Sequence, residues 1–417
     1  MNQIFIKNIR IDKVRHLDNI GIQVCDNECR HIIVTGKNGS GKTSLLDSIA
    51  TFLSSVTMGE SPKKLSEDIK NTKERIENYK ERNDEEHMRQ DEDNLEYINK
   101  QYKRATAGVW IEFNRPMADI RKLFEVGNFI TAYYKADRVF SSIEPEHVEK
   151  VKLKAGYSIN DMPRTEFIKY LLDLKMTQAL AASNGKLDKA YKISEWFKKF
   201  DDLLKQIFND ESIRLDFDEE TFKFSIVMNG REPFDFNTLS SGYAAILDIV
   251  VDLIIRMEKQ LNRSFDFDIP GVVLIDEIET HLHLELQRNI MGLLTTIFPN
   301  IQFIVSSHSP FILNSLQNVV IYDLEKKICV KDGLSDIPYS GIVEGYFNSD
   351  ELSSELREKF KEYKSLAYKS ELNDDDYERI TELEMYLDEI PDYLALKIST
   401  EYQELKLKMR ARVEQDG

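Results

Sequence analysis

Gly36 is followed, after four residues, by Gly41-Lys42-Thr43 within HIIVTGKNGSGKTSLL. The run before it, HIIVTG, is continuously apolar and ends in glycine, as a buried strand does, and TSLLDSIATFLSSV after it reads as a helix. A glycine-rich loop in that setting can turn its backbone N–H groups inward around a phosphate chain, and the helix N-terminus adds its positive end. The candidate phosphate-binding residues are therefore Gly36, Lys37, Asn38, Gly39, Ser40, Gly41, Lys42, Thr43 and Ser44. In this pattern Lys42 reaches the β- and γ-phosphates of a nucleotide, and the Thr43 hydroxyl binds Mg²⁺.

Three later segments supply what a phosphate loop lacks. GVVLIDE is an apolar strand ending in Asp276-Glu277. Asp276 is placed to hold Mg²⁺, directly or through water, and Glu277 to polarise the attacking water as general base. A strand merely ending in surface carboxylates is the plainer reading, and the wholly apolar run up to Asp276 argues against it. LSSGY, Leu239 to Tyr243, lies 34 residues before Glu277 and precedes a long helix, so Ser240, Ser241 and Gly242 sit at a helix N-terminus, a natural anion site. IVSSHS puts His308 at the end of the next apolar run, 31 residues after Glu277.

The elements that must position these residues alternate between strand and helix. IFIKNIRI, IGIQV, AGVWIEF, NFITAYY, SIRLDF and TFKFSIVM read as strands, and AAILDIVVDLIIRMEKQL as a long, mostly buried helix. GVVLID and IQFIVSS are buried strands with a helix between them, which implies a parallel sheet. Between Ser61 and about Lys103, Leu65, Ile69, Ile76 and Tyr79 form one helical stripe, and Leu95, Ile98 and Tyr102 a second. With NDEEHMRQDED as a polar tip, this predicts an antiparallel helical hairpin of about 20 residues per arm. Pro163 to Phe208 reads as largely helical, and so does everything from Ser349 onward, where 11 Lys and Arg face 19 Asp and Glu. Pro391 is the expected start of the last helix.

In order and spacing these motifs resemble the ABC ATPase superfamily: Walker A, a signature at Leu239, Ser240, Ser241 and Gly242, Walker B with Glu277, a D-loop at Glu279 to His283, and a switch histidine at His308. The resemblance implies an α/β P-loop head with a mixed sheet, binding ATP and Mg²⁺ and hydrolysing ATP slowly. It also implies two heads sandwiching ATP, so that the signature meets the γ-phosphate held by a partner subunit while His308 orients the water. The transporter branch has LSGGQ and a Q-loop glutamine. Here LSSGY stands instead, and the strand that would carry the glutamine ends in AYYKADR, leaving Lys135 or Arg138 for that place.

IDEIETHLHLELQ, FIVSSHSPFIL and the hairpin after the Walker A helix are similar to SMC, RecF and OLD-type ATPases. An OLD-type Toprim nuclease domain is not expected: IVEGYFNSDE with Glu344 resembles its start, but no second acidic strand motif follows, and Asp374, Asp375 and Asp376 suit a helix cap better than Mg²⁺. What remains resembles the stand-alone ATPase subunits of bacterial anti-phage systems such as PARIS and Septu, which implies a nucleotide-gated switch controlling a separate effector nuclease. The alternative is a RecF- or Rad50-like repair ATPase with DNA as its direct partner. On this plan residues 1–60 begin the head, 61–105 are the hairpin insertion, 106–162 continue the head, 163–210 form a helical lobe, 211–345 complete the head, and 346–417 are an acidic tail for assembly or partner binding.

Composition bounds the rest. With 56 Lys and Arg against 73 Asp and Glu in 417 residues, the net charge is −17, which disfavours indiscriminate binding to nucleic acid or anionic membrane. No uninterrupted apolar run reaches the roughly 18 residues needed to span a bilayer, since Asp248 and Asp252 break the longest candidate. The N-terminus has no apolar signal segment, so a cytoplasmic protein without a membrane partner is expected. Cys25, Cys29 and Cys329 are too sparse for a disulfide framework; the first two look like the sides of a tight hairpin and lack zinc partners. His281 and His283 fit a nucleotide-proximal role better than a metal site. Lys406, Lys408, Arg410 and Arg412 suit the end of a helix better than nucleic acid.

Overall fold

The structure, a computed structural model, describes residues 3–25, 27–138, 145, 147–258, 265, 267–337, 341–342, 354–369, 372–388 and 401–408. Two compact units divide the chain, Met1–Asp336 and Ile337–Gly417.

In the first unit, strands β1 (Ile6–Val14) and β2 (Leu17–Gln23) pair antiparallel, and β4 (Val109–Phe113) flanks β1, giving a three-stranded sheet of order β2-β1-β4. Their apolar residues alternate, and Ile9, Ile11, Ile20, Ile22, Val109 and Ile111 face the core. The second sheet has the order β11-β10-β3-β9-β8-β5. Strands β10 (Val319–Asp323), β3 (His31–Thr35), β9 (Ile301–Ser306), β8 (Gly271–Ile275) and β5 (Ile130–Tyr134) run parallel, and β11 (Ile328–Val330) pairs antiparallel with β10 at the edge. β3, β8, β9 and β10 are buried throughout, as strands covered on both faces must be. Helix α1 (Lys42–Thr57) packs between the sheets, with Leu45, Leu46, Ile49, Phe52 and Leu53 in the shared core.

The hairpin is α2 (Pro62–Glu81) and α3 (Glu85–Thr106), packed on each other. Its tip is shorter than the polar composition of residues 83–93 suggests. Asp84 caps α3 by accepting from the His87 N–H, Glu85 and Glu86 lie in the first turn where the dipole favours them, and Arg75 clasps Asp91 across the arms at 2.8 Å. A polar stretch without an apolar stripe is thus still helix, held by caps and cross-arm pairing. Helix α4 (Met117–Glu125) leads to β5. After it come a 3₁₀ turn at Pro163–Glu166, α5 (Phe167–Ser183) and α6 (Leu187–Phe208), the β6 (Arg214–Asp218)–β7 (Lys223–Val227) hairpin, and α7 (Ser241–Met257). Helices α8 (Leu284–Ile297) and α9 (Pro310–Leu313) flank β9 in the chain.

The stretch from Cys25 to Cys29 does not close a hairpin: β2 before it belongs to the three-stranded sheet and β3 after it to the parallel one, so it is a crossover between sheets, and both cysteines are free. Residues 319–330, which carry no strand in the sequence reading, form β10 and β11.

In the second unit, α10 (Ser354–Ala367), α11 (Asp374–Asp388) and helical residues 401–408 bury Phe360, Tyr363, Ile380, Leu383, Leu387, Tyr402 and Leu405 together. Asp374, Asp375 and Asp376 form the first turn of α11, where Asn373 and Asp376 cap each other's N–H groups. Lys406 is not at work on a helix terminus: it is buried and binds the Asp388 carboxylate at 2.5 and 2.7 Å. Arg410, Arg412, Pro391 and Glu344 lie outside the described residues.

Candidate functional site

The strand order brings the motifs together. β9 lies between β3 and β8, so the C-terminal ends of three adjacent parallel strands carry, side by side, the phosphate loop, His308 and the Asp276-Glu277 pair. Crevices at the carboxyl ends of parallel strands are where open α/β sheets bind ligands.

Residues 36–41 turn through three glycines with positive φ: Gly36 at 133°, Gly39 at 81° and Gly41 at 98°. At Gly36 a Cβ would come within 2.8 Å of the Ser40 Oγ, so the loop needs glycine for space as well as for φ. Gly41 precedes the first turn of α1. Lys42, only 6% exposed, donates to Gly36 O at 2.9 Å, Lys37 O at 3.3 Å and His308 Nε2 at 2.5 Å. Burial lowers the Lys42 pKa, while Glu277, Glu279, Asp276 and Asp323 pull it back up. His308 is held below its ordinary value by burial first and by the Lys42 cation second. Thr43 and the loop residues Lys37, Asn38 and Gly39 are exposed, and Ser40, Gly41 and Ser44 are half-buried. Lys37 pairs with Glu325 at 2.7 Å.

At the end of β8, Asp276 is buried and accepts from the Ser306 hydroxyl at 2.5 Å. The same oxygen accepts from the Glu277 N–H at 2.7 Å, and Ser306 O accepts from the Ile278 N–H. Glu277 has φ 44°, a left-handed conformation that costs a non-glycine residue on the order of 1–3 kcal/mol. Glu279 accepts from the His308 N–H at 2.6 Å, and Gln287 accepts from the Ser309 hydroxyl at 2.7 Å, so the stretch after Glu277 is tied to the stretch that carries His308.

Leu239, Ser240, Ser241 and Gly242 sit at the start of α7, with Ser240 and Ser241 exposed. Among the described residues no hydrogen bond or ion pair joins them to residues 36–44. Gly242 is buried, and a Cβ on it would meet His281 O and Leu286 Cδ1 of the same chain at 3.1 Å, so bulk there presses on the chain's own Glu279–His283 loop.

Of the two cations considered for the Q-loop place, Arg138 is withdrawn into the interior and bonded to backbone carbonyls, whereas Lys135 is exposed and lines a polar cleft along α1 with Asp47, Thr51 and Tyr133. Ser306 and Gln287 support the site, as does Glu279, the first residue of the expected D-loop. Their roles depend on β9 lying against β8, which no local pattern announces.

This fold and this convergence define an ABC-type P-loop head. The chain belongs to the family described as "AAA domain, putative AbiEii toxin, Type IV TA system", whose model matches residues 32–314. It is 42% identical over 94 residues to the "Retron Vc95 probable ATPase" of Vibrio cholerae serotype O1 biovar El Tor, a match spanning 22% of this chain and 18% of the relative. It is also 42% identical over 78 residues, 19% of this chain and 11% of the relative, to the "Septu protein PtuA" of Bacillus mycoides (strain KBAB4). The chain thus spans less than a fifth of the length of these two curated relatives. Among solved structures, an SMC head bound to the C-terminal winged-helix domain of ScpA is 13% identical at a TM-score of 0.38, covering 78% of this chain and 96% of that one. The fold assignment rests on the strand order, not on that likeness. Among the described residues no helix is long and apolar enough to cross a membrane.

Proposed function

We propose that the chain binds Mg²⁺·ATP between its phosphate loop and the Leu239–Gly242 segment of a second copy, hydrolyses it slowly, and uses the two states as a switch in bacterial anti-phage defence that controls a separate effector nuclease. The observation that carries the ATPase reading is the convergence of Lys42, Asp276, Glu277 and His308 at the ends of β3, β8 and β9. The residues suit the ligand: glycines turned around a cradle, a helix N-terminus, a buried lysine and a buried carboxylate. Lys42 would bind the β- and γ-phosphates, with Gly36, Lys37, Asn38, Gly39, Ser40, Gly41 and Ser44 cradling the chain. Thr43 and Asp276 would hold Mg²⁺, which neutralises phosphate charge when bound. Glu277 would take the proton of the attacking water, and neutral His308 would orient that water by hydrogen bonding.

What supports the defence setting is the likeness to retron and Septu proteins. What supports a paired arrangement is the exposure of Ser240 and Ser241 at a helix N-terminus that is not bonded to the chain's own phosphate loop. Glu277→Gln tests the core of the reading. It keeps the size of the side chain and loses the base, so ATP should still bind while kcat falls about 10²–10⁴-fold. Wild-type turnover in that variant would place the base elsewhere.

A further inference from the structure

We infer that Arg138 is a positioning residue for Glu277, fixing the general base through the backbone of the Asp276–Ile278 turn and not through the phosphates. The inference rests on Glu277 being the base, as proposed above. Arg138 lies four residues beyond β5, the strand that pairs with β8, and is 5% exposed. Its Nη1 donates to Asp276 O at 2.7 Å and Lys135 O at 3.1 Å, and its Nη2 to Glu277 O at 3.1 Å and Ile278 O at 3.3 Å. Three successive carbonyls thus converge on one planar cation. An extended strand cannot present them so, because its carbonyls alternate in direction. The turn does so because Glu277 has φ 44°.

The opposite edge of the same turn is held by Ser306, which accepts the Glu277 N–H through its hydroxyl and the Ile278 N–H through its carbonyl. Arg138 and Ser306 therefore grip the turn from both sides, and the direction of the Glu277 side chain follows from that grip. A guanidinium is well matched to three carbonyls, being planar, always charged and furnished with donors in a fixed fork, whereas a lysine ammonium offers a single point.

The charge of Arg138 is also placed. Burial works against it, and the carboxylates of Asp248, Glu279, Asp276 and Glu277, in that order, offset the penalty. Asp248 is wholly buried on α7, two turns from the Ser240–Gly242 end, and pairs with Arg164.

The test uses the full chain with Mg²⁺·ATP, reading ATP affinity by calorimetry, kcat by phosphate release, and melting temperature for each variant. Wild type and Glu277→Gln come first: absent turnover in the first, or retained turnover in the second, overturns the ATPase reading itself. With both behaving as proposed, Arg138→Gln should bind ATP within about threefold of wild type while kcat falls about tenfold or more, since small misplacement of a reacting group is costly. Arg138→Lys should recover part of that loss. Weakened ATP affinity with kcat retained would show a phosphate contact and sink the inference, as would wild-type values for both. If Arg138→Gln does not fold, Arg138→Lys decides alone: a lower kcat at unchanged affinity supports the positioning role, and wild-type kcat overturns it.

Discussion

Lys42 sits at a junction of two demands. Its ammonium is bound to two loop carbonyls and to His308, and burial disfavours its charge. A buried cation in such a place needs an anion, and a phosphate chain supplies one more completely than carbonyls do. Lys42→Ala should remove two or more charge-assisted bonds at about 1.5–3 kcal/mol each, weakening ATP roughly a hundredfold or more. ATP affinity unchanged in calorimetry would dismiss the site. His308 answers to burial first and to the same cation second, both of which hold its imidazole below the ordinary value, and its Nε2 faces the Lys42 ammonium at 2.5 Å. Residue types and spacing are enough to find Lys42, Asp276, Glu277 and His308. They cannot find Ser306 or the true partners of Arg138, because those bonds join residues 29 to 140 positions apart through strand neighbours.

Among the elements, α7 shows how a sequence signal can point two ways. Asp248 and Asp252 interrupt its apolar run and so argue against a membrane span, yet both are wholly buried. Asp252 is satisfied by the Tyr134 hydroxyl at 2.7 Å and Arg256 at 2.6 Å. Asp248 has Arg164 as its ion-pair partner, with Arg138 and Asp252 also nearby, and burial drives its carboxyl up from the ordinary value to about 7. A carboxyl raised in the fold keeps its proton longer than in the unfolded chain. Its contribution to stability is therefore greatest at low pH and declines as pH rises from about 4 to about 7. Asp248→Asn holds a neutral group at all pH values. The melting-temperature advantage of wild type over this variant should shrink as pH rises from 5 to 8, and a difference independent of pH would refute the raised carboxyl. Helical and strand periodicity give α1, α5–α7 and most strands their places. The tip of the α2–α3 hairpin reads as too long because its helix is secured by a cap and by Arg75–Asp91 instead of an apolar stripe.

At the scale of the whole molecule the question is whether one copy suffices. The phosphate loop and the Ser240–Ser241 edge belong to one chain but are not joined in it, and a site built from two copies would join them. Ser241 is the residue to change: it is exposed and opens α7, whereas bulk at Gly242 would press on the chain's own His281 carbonyl and Leu286. Ser241→Arg should fold and bind ATP at its own intact Lys42, yet fail to turn it over, because its edge would no longer fit the phosphates held by a second copy. Lys42→Ala fails for the opposite reason. When the two inactive variants are mixed in equal amounts and allowed to exchange, half of the pairs are mixed, and each mixed pair contains one site with neither lesion. In a two-fold pair whose sites work independently, about a quarter of wild-type turnover should return. Return of activity from two dead proteins has no explanation in a site made by one chain. Strict coupling between the two sites would suppress it, so the decisive outcome against the paired site is a different one: full turnover by Ser241→Arg alone, which would show that this edge never meets the nucleotide.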